Sequence, residues 1–187
     1  YKKVVEVTAN SWYTEIHLKN GTTIKKGFYK TDKSKVKEGH FEEFYHDGNL
    51  QQRGNYFNDK KIGNWVLLYR TGQKKSYGKY DADGEKDSIW VSLHQNGKTQ
   101  EIGNYIHGNK NGEWLGHFDD GQKDFVYYYN ENGKLSGHYE SYGHEEHVYD
   151  IGEYEDGDKI GDFIGINPCL PVDQAPENLD IYVKGDL

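Results

Sequence analysis

Residues 54–80 read GNYFNDKKIGNWVLLYRTGQKKSYGKY, and this stretch holds one complete structural period. It opens on Gly54-Asn-Tyr56, closes on Gly78-Lys-Tyr80, and carries Gly63-Asn-Trp65 between them. After Trp65 the residues alternate as a strand requires: Trp65, Leu67 and Tyr69 point one way, Val66 and Leu68 the other. Turn signals bracket that strand at Asp59-Lys60 and Thr71-Gly72.

Outward from this stretch the same pattern recurs. A small residue two places before an aromatic appears as Gly39-His-Phe41, Ser88-Ile-Trp90, Gly112-Glu-Trp114, Gly137-His-Tyr139 and Gly161-Asp-Phe163, at intervals of 24 or 25 residues. Turn residues follow at Asp47-Gly48, Asn96-Gly97 and Asp120-Gly121. A second set, half a period out of phase, is Asp83-Gly84, His107-Gly108, Asn132-Gly133 and Asp156-Gly157. Turns thus arrive about every 12 residues, leaving room for strands of about seven to nine residues between them. A fixed period of this size denotes one supersecondary unit copied along the chain, each copy burying its apolar face against its neighbours.

The second strand of each unit ends in Gly-x-Tyr: Gly54-Asn-Tyr56, Gly78-Lys-Tyr80, Gly103-Asn-Tyr105 and Gly152-Glu-Tyr154. Gly and Tyr share a face, so these glycines read as places where a ring from an adjacent strand lies over bare backbone. Composition agrees. Mean hydropathy is -1.04 and only 34% of residues are hydrophobic, which alone would suggest disorder, yet there are 17 Tyr, 7 Phe and 4 Trp. Such rings bury much area while keeping a polar edge for water, which suits a thin sheet without a deep centre. No window approaches the roughly 18 consecutive apolar residues of a membrane span.

The string Gly54-Asn-Tyr56, Lys60-Lys61-Ile62-Gly63-Asn-Trp65, Tyr69, Gly72 and its copies resemble the variant MORN repeat found in bacterial antitoxin and immunity proteins of polymorphic toxin systems. The resemblance covers about residues 39–165, with a divergent copy from Trp12 to Gly21. The expected fold is therefore all-β: an elongated, twisted antiparallel meander of tandem MORN-like β-hairpin repeats, with some 13 or 14 strands. Residues 1–38 form a divergent N-terminal repeat and loop, 39–166 the array, and 167–187, which hold Pro168, Pro171 and Pro176, a C-terminal cap or partner-gripping arm.

Two places depart from the pattern. In the fourth full unit Tyr127-Tyr128-Tyr129-Asn130 stands where Gly-x-Tyr is expected, and the next turn becomes Gly143-His144-Glu145-Glu146-His147. Local rules fail either at functional sites or through repeat drift. Between Gly27 and Gly39 an insertion with Lys30, Lys33, Lys35 and Lys37 reads as a solvated loop.

The chemistry-bearing constellations point away from catalysis. His144-Glu-Glu-His147 lacks zinc-protease spacing. Asp81-Ala-Asp83-Gly84 with Asp87 lacks the distal Glu of a calcium loop and falls where a hairpin turn is due. Cys169 stands alone in Pro-Cys-Leu-Pro and reads as a small packing residue. No nucleophile motif or phosphate-cradling loop is present, and neither cofactor nor metal is expected.

With 31 acidic against 23 basic residues the chain has a formal charge of -8, which disfavours nucleic acid and anionic membrane as primary ligands. An acidic binder suits a basic partner. The resemblance implies a cognate protein toxin in that place. Candidate contacts are residues the fold does not need: the acids Glu42, Glu43, Glu140, Glu145, Glu146 and Asp150, and the exposed-position candidates Tyr69, His94 and Tyr142. Two alternatives stay open: an exported carbohydrate- or peptidoglycan-binding module stacking sugars on Tyr and Trp rows, and a scaffold or membrane-surface module. The chain starts at Tyr1 and contains no Met, so the expectation is that the natural initiator, with or without a signal segment, has been trimmed, which leaves bacterial cytoplasm, periplasm and cell surface open. Oligomeric state is not legible.

Overall fold

The structure is a computed structural model that describes residues 2–8, 11–30, 36–143 and 148–165. The described regular structure is entirely β-strand, in two compact units, residues 1–97 and 98–187. The first unit holds β1 (Lys2–Thr8), β2 (Ser11–His17), β3 (Thr23–Tyr29), β4 (Lys37–Phe44), β5 (Leu50–Phe57), β6 (Lys60–Leu68), β7 (Lys74–Tyr80) and β8 (Lys86–Leu93). The second holds β9 (Thr99–Ile106), β10 (Asn109–His117), β11 (Lys123–Tyr129), β12 (Gly137–Tyr142), β13 (Val148–Glu155) and β14 (Asp158–Gly165). Within each unit every strand pairs antiparallel with its sequence neighbours, giving an open meander that does not close into a barrel. The expected all-β array of hairpin repeats is the observed fold.

Two kinds of turn make the hairpins. Between β5 and β6 a two-residue turn places both Asn58 and Asp59 at positive φ, 50° and 65°, a geometry matched to strand twist. His107-Gly108 and Asp156-Gly157 repeat it. Between β6 and β7 the loop is longer: Tyr69 N–H donates to Gln73 O at 2.8 Å and Gly72 N–H to Tyr69 O at 2.9 Å. The Asp81 loop is of this longer kind, its carboxylate accepting the Asp83 and Glu85 N–H groups at 2.9 Å each. Its acidic composition is turn chemistry.

The small residue two places before each aromatic marks a bulge. Arg53 pairs with Val66 and Asn55 with Ile62, so Gly63, Asn64 and Trp65 together stand opposite Gly54. Gly63 has φ 63°, and Ser88 takes the same left-handed conformation at 61°, unusual for a residue with a Cβ. The bulge lays the following ring across the glycine of the preceding strand. A Cβ on Gly54, Gly78 or Gly103 would lie 2.3, 2.3 and 2.1 Å from Trp65, Trp90 and Trp114 respectively. These glycines are packing devices, as their spacing implied.

Among the described residues no second layer covers the rings, and the core is a ladder on one face of the sheet. In the first unit Tyr29, Phe41, Tyr56, Trp65, Tyr80 and Trp90 meet edge to face at centroid separations of 5.1 to 6.1 Å. Each such pair contributes about 0.5–1.5 kcal/mol beyond its area. Phe41 is 0% exposed and Trp65 2%. The indole N–H groups of Trp65, Trp90 and Trp114 donate to the carbonyls of Asn55, Lys79 and Asn104, so each of these buried indoles has its donor met. The second unit has ring contacts of its own, through Tyr105, Trp114 and Tyr129 and through Tyr127, Tyr139 and Tyr154.

In five of the six copies a lysine four places before the aromatic covers this ladder. Lys37 lies 4.3 Å from the Tyr56 ring centroid, Lys61 4.2 Å from Trp65, Lys86 4.4 Å from Trp90, Lys110 3.9 Å from Trp114 and Lys159 4.8 Å from Tyr139. Their stems exclude water while the ammonium groups sit over ring faces. This corrects the reading of Lys37 as part of a solvated loop. It begins β4, donates from its backbone N–H to Asp59 at 2.7 Å and from Nζ to the Tyr56 hydroxyl at 3.2 Å. Lys33 and Lys35 lie outside the described residues, as do residues 166–187 with the proposed cap and Cys169.

The irregular fourth unit is a repacking. Tyr127 occupies the usual glycine position, and the bare backbone has moved to Gly116, where a Cβ would lie 2.2 Å from Phe125. Phe125 stacks on Tyr127 at 4.7 Å, and Leu135 stands where the other copies carry lysine. One coupled exchange of side chains accounts for the departure.

Candidate binding face

Strand alternation gives the sheet two unlike faces. On the ladder face the acids are matched by bases. Glu43 pairs with Lys25 at 2.8 Å and Lys37 at 3.7 Å and accepts from Gln52; burial raises its pKa, but these partners outweigh that and hold it below the ordinary carboxylate range. Asp150 accepts from the Tyr139 hydroxyl at 2.9 Å and pairs with Lys159 at 2.6 Å. Burial pushes the Tyr56 hydroxyl up to about 12 and pulls the Lys61 ammonium down.

The opposite face is where side chains stand open. In the first unit β4 to β8 shape a shallow groove of about 690 Å³ on it. One cross-strand row runs Glu42, Arg53, Val66, Tyr77, Val91. A second links Asn64, Lys79 and Asp87. Tyr77 is 39% and Ile89 61% exposed. Among the described residues neither the Arg53 nor the Lys79 side chain has an ion-pair or hydrogen-bond partner. Glu42, directly across from Arg53, is held instead by Lys26 at 2.7 Å and His40 at 3.5 Å. Burial opposes the charged form of Glu42, but Lys26 and His40 prevail and lower its pKa.

The residues singled out in the sequence do not converge. Glu42 and Glu43 are adjacent in β4 and therefore face opposite ways. The Tyr69 hydroxyl donates to the Leu93 carbonyl at 2.7 Å, as Tyr45 does to Leu68 at 2.8 Å, so both tie one repeat to the next. His94 is half-buried, its carbonyl accepting from Gly97 N–H at 2.9 Å. In the second unit Glu140 pairs with His138 at 3.2 Å and accepts from Tyr142; that bond, followed by burial acting the other way and by His138, leaves its pKa lowered. Lys123 sits 5.6 Å from the Tyr142 ring. Glu145 and Glu146 lie outside the described residues. Every described acid among these candidates already has a hydrogen-bond or ionic partner within the sheet.

Sequence reasoning missed Arg53, Tyr77, Lys79 and Ile89. The signal was there in the alternation with Gly54, Gly78 and Trp90, which places all four on the side away from the rings. Charge is also segregated along the chain. Residues 1–97 carry 17 Lys and Arg against 12 Asp and Glu, a formal +5, and residues 98–187 carry 6 against 19, a formal -13. The whole-chain value of -8 hides a cationic unit that contains the groove.

Among the described residues no group of three or more His, Cys, Asp and Glu is placed to hold a metal ion, and no helix is long and apolar enough to cross a membrane.

No family model matches the chain, and no curated protein matches it. Among solved structures, a mutant of S. aureus TarM in complex with fondaparinux, alpha-GlcNAc-glycerol and UDP aligns at 14% identity with a TM-score of 0.36. That alignment covers 59% of this chain and 21% of the other, and a likeness of that size carries no argument about fold or function.

Proposed function

We propose that this chain is a protein-binding repeat module that acts by occupancy, as an antitoxin or immunity protein that binds and neutralises a cognate toxin. The observation that carries the binding part is the contrast between the faces of the first unit: one sealed by rings and lysine stems, the other open, with Tyr77 and Ile89 exposed beside unpaired Arg53 and Lys79. Exposed aromatic and arginine side chains around an apolar centre are what protein interfaces use as anchors. The toxin as partner follows from the repeat resemblance. A basic toxin would be drawn at long range by the -13 of the second unit.

The glycan alternative loses support from the packing. Trp65, Trp90 and Trp114 are 2%, 5% and 2% exposed and are spent within the ladder, so no row of indoles is free to stack on sugar rings.

The test is co-expression with the product of the neighbouring gene, scored for growth, and capture of that product by the purified chain at low and high salt. Protection together with salt-weakened capture supports the reading. Capture without protection, or neither, sinks it. The double variant Tyr77→Ala, Ile89→Asp should retain its melting temperature and lose capture.

A further inference from the structure

We infer that the open groove of the first unit takes an extended acidic segment of a partner protein, with carboxylates at positions i and i+4 and a bulky apolar residue at i+2. The inference rests on the open face being the binding face, and it names the chemistry recognised there. It runs against the partner suggested by whole-chain charge.

The geometry comes from register. Arg53 pairs with Val66 and Val66 with Tyr77, so Arg53 lies two strands from β7, and Lys79 is two residues beyond Tyr77 on the same face. With strands about 4.8 Å apart and about 3.4 Å of rise per residue, the two cations spring from Cα atoms roughly 12 Å apart. An extended chain advances about 13 Å in four residues and returns its side chains to the same side at i, i+2 and i+4. Two carboxylates so spaced meet Arg53 and Lys79. The side chain between them comes down on β6 between Val66 and Asn64, with Tyr77 on the neighbouring strand and the exposed Ile89 one strand further on. The amides of Asn55 and Asn64, also in the groove wall, are exposed and able to bond the backbone of such a segment.

The same lining disfavours polyphosphate. Among the groove's lining residues Tyr77 is the one exposed ring, the exposed Phe57 standing outside that lining, so successive bases find no stacking row, and the floor between the cations is the uncharged pair Val66 and Asn64. Asp87, across from Lys79, and Glu42, across from Arg53, interrupt any continuous cationic track. A polyanion gains from every added cation, whereas this groove offers Arg53, Lys79 and, over the Tyr77 ring, Lys74, set apart by uncharged side chains and not in a continuous run.

The test uses the full chain and fluorescein-labelled nine-residue peptides in fluorescence anisotropy at low salt. The first has a Glu-Thr-Leu-Thr-Glu core, the second Lys for both Glu, the third Ser for Leu, and a 30-nucleotide oligo-dT is the polyanion probe. The acidic peptide should bind; the lysine peptide should not. Replacing Leu should weaken binding by roughly tenfold or more, the worth of one buried aliphatic side chain. Arg53→Gln with Lys79→Gln should weaken it by roughly tenfold with an unchanged melting curve, since both side chains are solvated and the neutral amides set no like charge against Glu42 or Asp87. Equal binding of acidic and basic peptides, indifference to the double variant, or oligo-dT displacing the peptide overturns the inference. Peptide binding without toxin protection would sink the toxin reading alone. Failure of the peptide while Tyr77→Ala, Ile89→Asp still abolishes protection would sink the acidic segment alone.

Discussion

Trp65 lies face down on Gly54, its six-membered ring carbons 2.3 Å from where a Cβ would be, and its indole N–H reaches the carbonyl of Asn55 at 3.2 Å. Ring, bare backbone and hydrogen bond are a single device repeated at Trp90 with Gly78 and Trp114 with Gly103. Gly54→Ala and Gly103→Ala should each destabilise their unit by about 1–3 kcal/mol, the usual effect of overpacking. Denaturant titration followed by Trp fluorescence reads this as a lower midpoint, and an unchanged midpoint would refute the packing role.

Ser88 is the one member of the bulge series that is not glycine, at φ 61°. An L-residue held there costs about 1–2 kcal/mol, and glycine gives back part of that gain through its greater freedom in the unfolded chain. Ser88→Gly should therefore raise stability by about 0.5–1 kcal/mol. A fall in melting temperature would show that the Ser88 hydroxyl, which donates to Asp87 at 3.0 Å, outweighs the backbone strain.

Tyr69 belongs to the joint between repeats. Tyr69→Phe removes one hydrogen bond to the Leu93 carbonyl and should cost about 1 kcal/mol of stability while leaving partner capture untouched. Loss of capture at full stability would place Tyr69 in the contact surface instead.

High pH should unfold the ladder. Burial raises Tyr56 to about 12 and also raises Tyr29, Tyr80 and Tyr129. A raised folded pKa means stability that is complete below the ordinary tyrosine value near 10 and lost as pH climbs from there through the folded value. Lys61, lowered by burial, acts in the opposite sense, since its deprotonation relieves a buried charge, but it is one group against several tyrosines. Tyrosinate absorbance should rise late, between pH 10 and about 12, and in step with loss of Trp fluorescence structure. Smooth titration centred near 10 would show the rings to be freely solvated.

The sequence made the architecture readable because each rule was written many times. One Gly-x-Tyr is weak, but Gly54, Gly78 and Gly103 at a fixed interval from Trp65, Trp90 and Trp114 specify strands, turns and ring packing together. The lysine series at 37, 61, 86, 110 and 159 has the same period and went unread because lysine looks like ordinary surface; only its position four residues before each ring distinguishes it. The site was less legible for a related reason. Glu42 and Glu43 look alike in sequence, and the β3 bases that hold them, Lys26 and Lys25, lie 16 and 18 residues away. Whether an acid is spoken for depends on cross-strand register, which a bulge shifts by whole residues.

The meander has a kinetic consequence. Among the described residues the most widely separated backbone partners on paired strands are Lys25 and Glu43, 18 positions apart. An all-β chain usually folds slowly because distant strands must find one another before any contact rewards the loss of chain entropy. Here every pairing is local. Closure of any one hairpin supplies the edge on which the next strand zips, so refolding within a unit should resemble the growth of a helix from a nucleus more than the assembly of a sandwich.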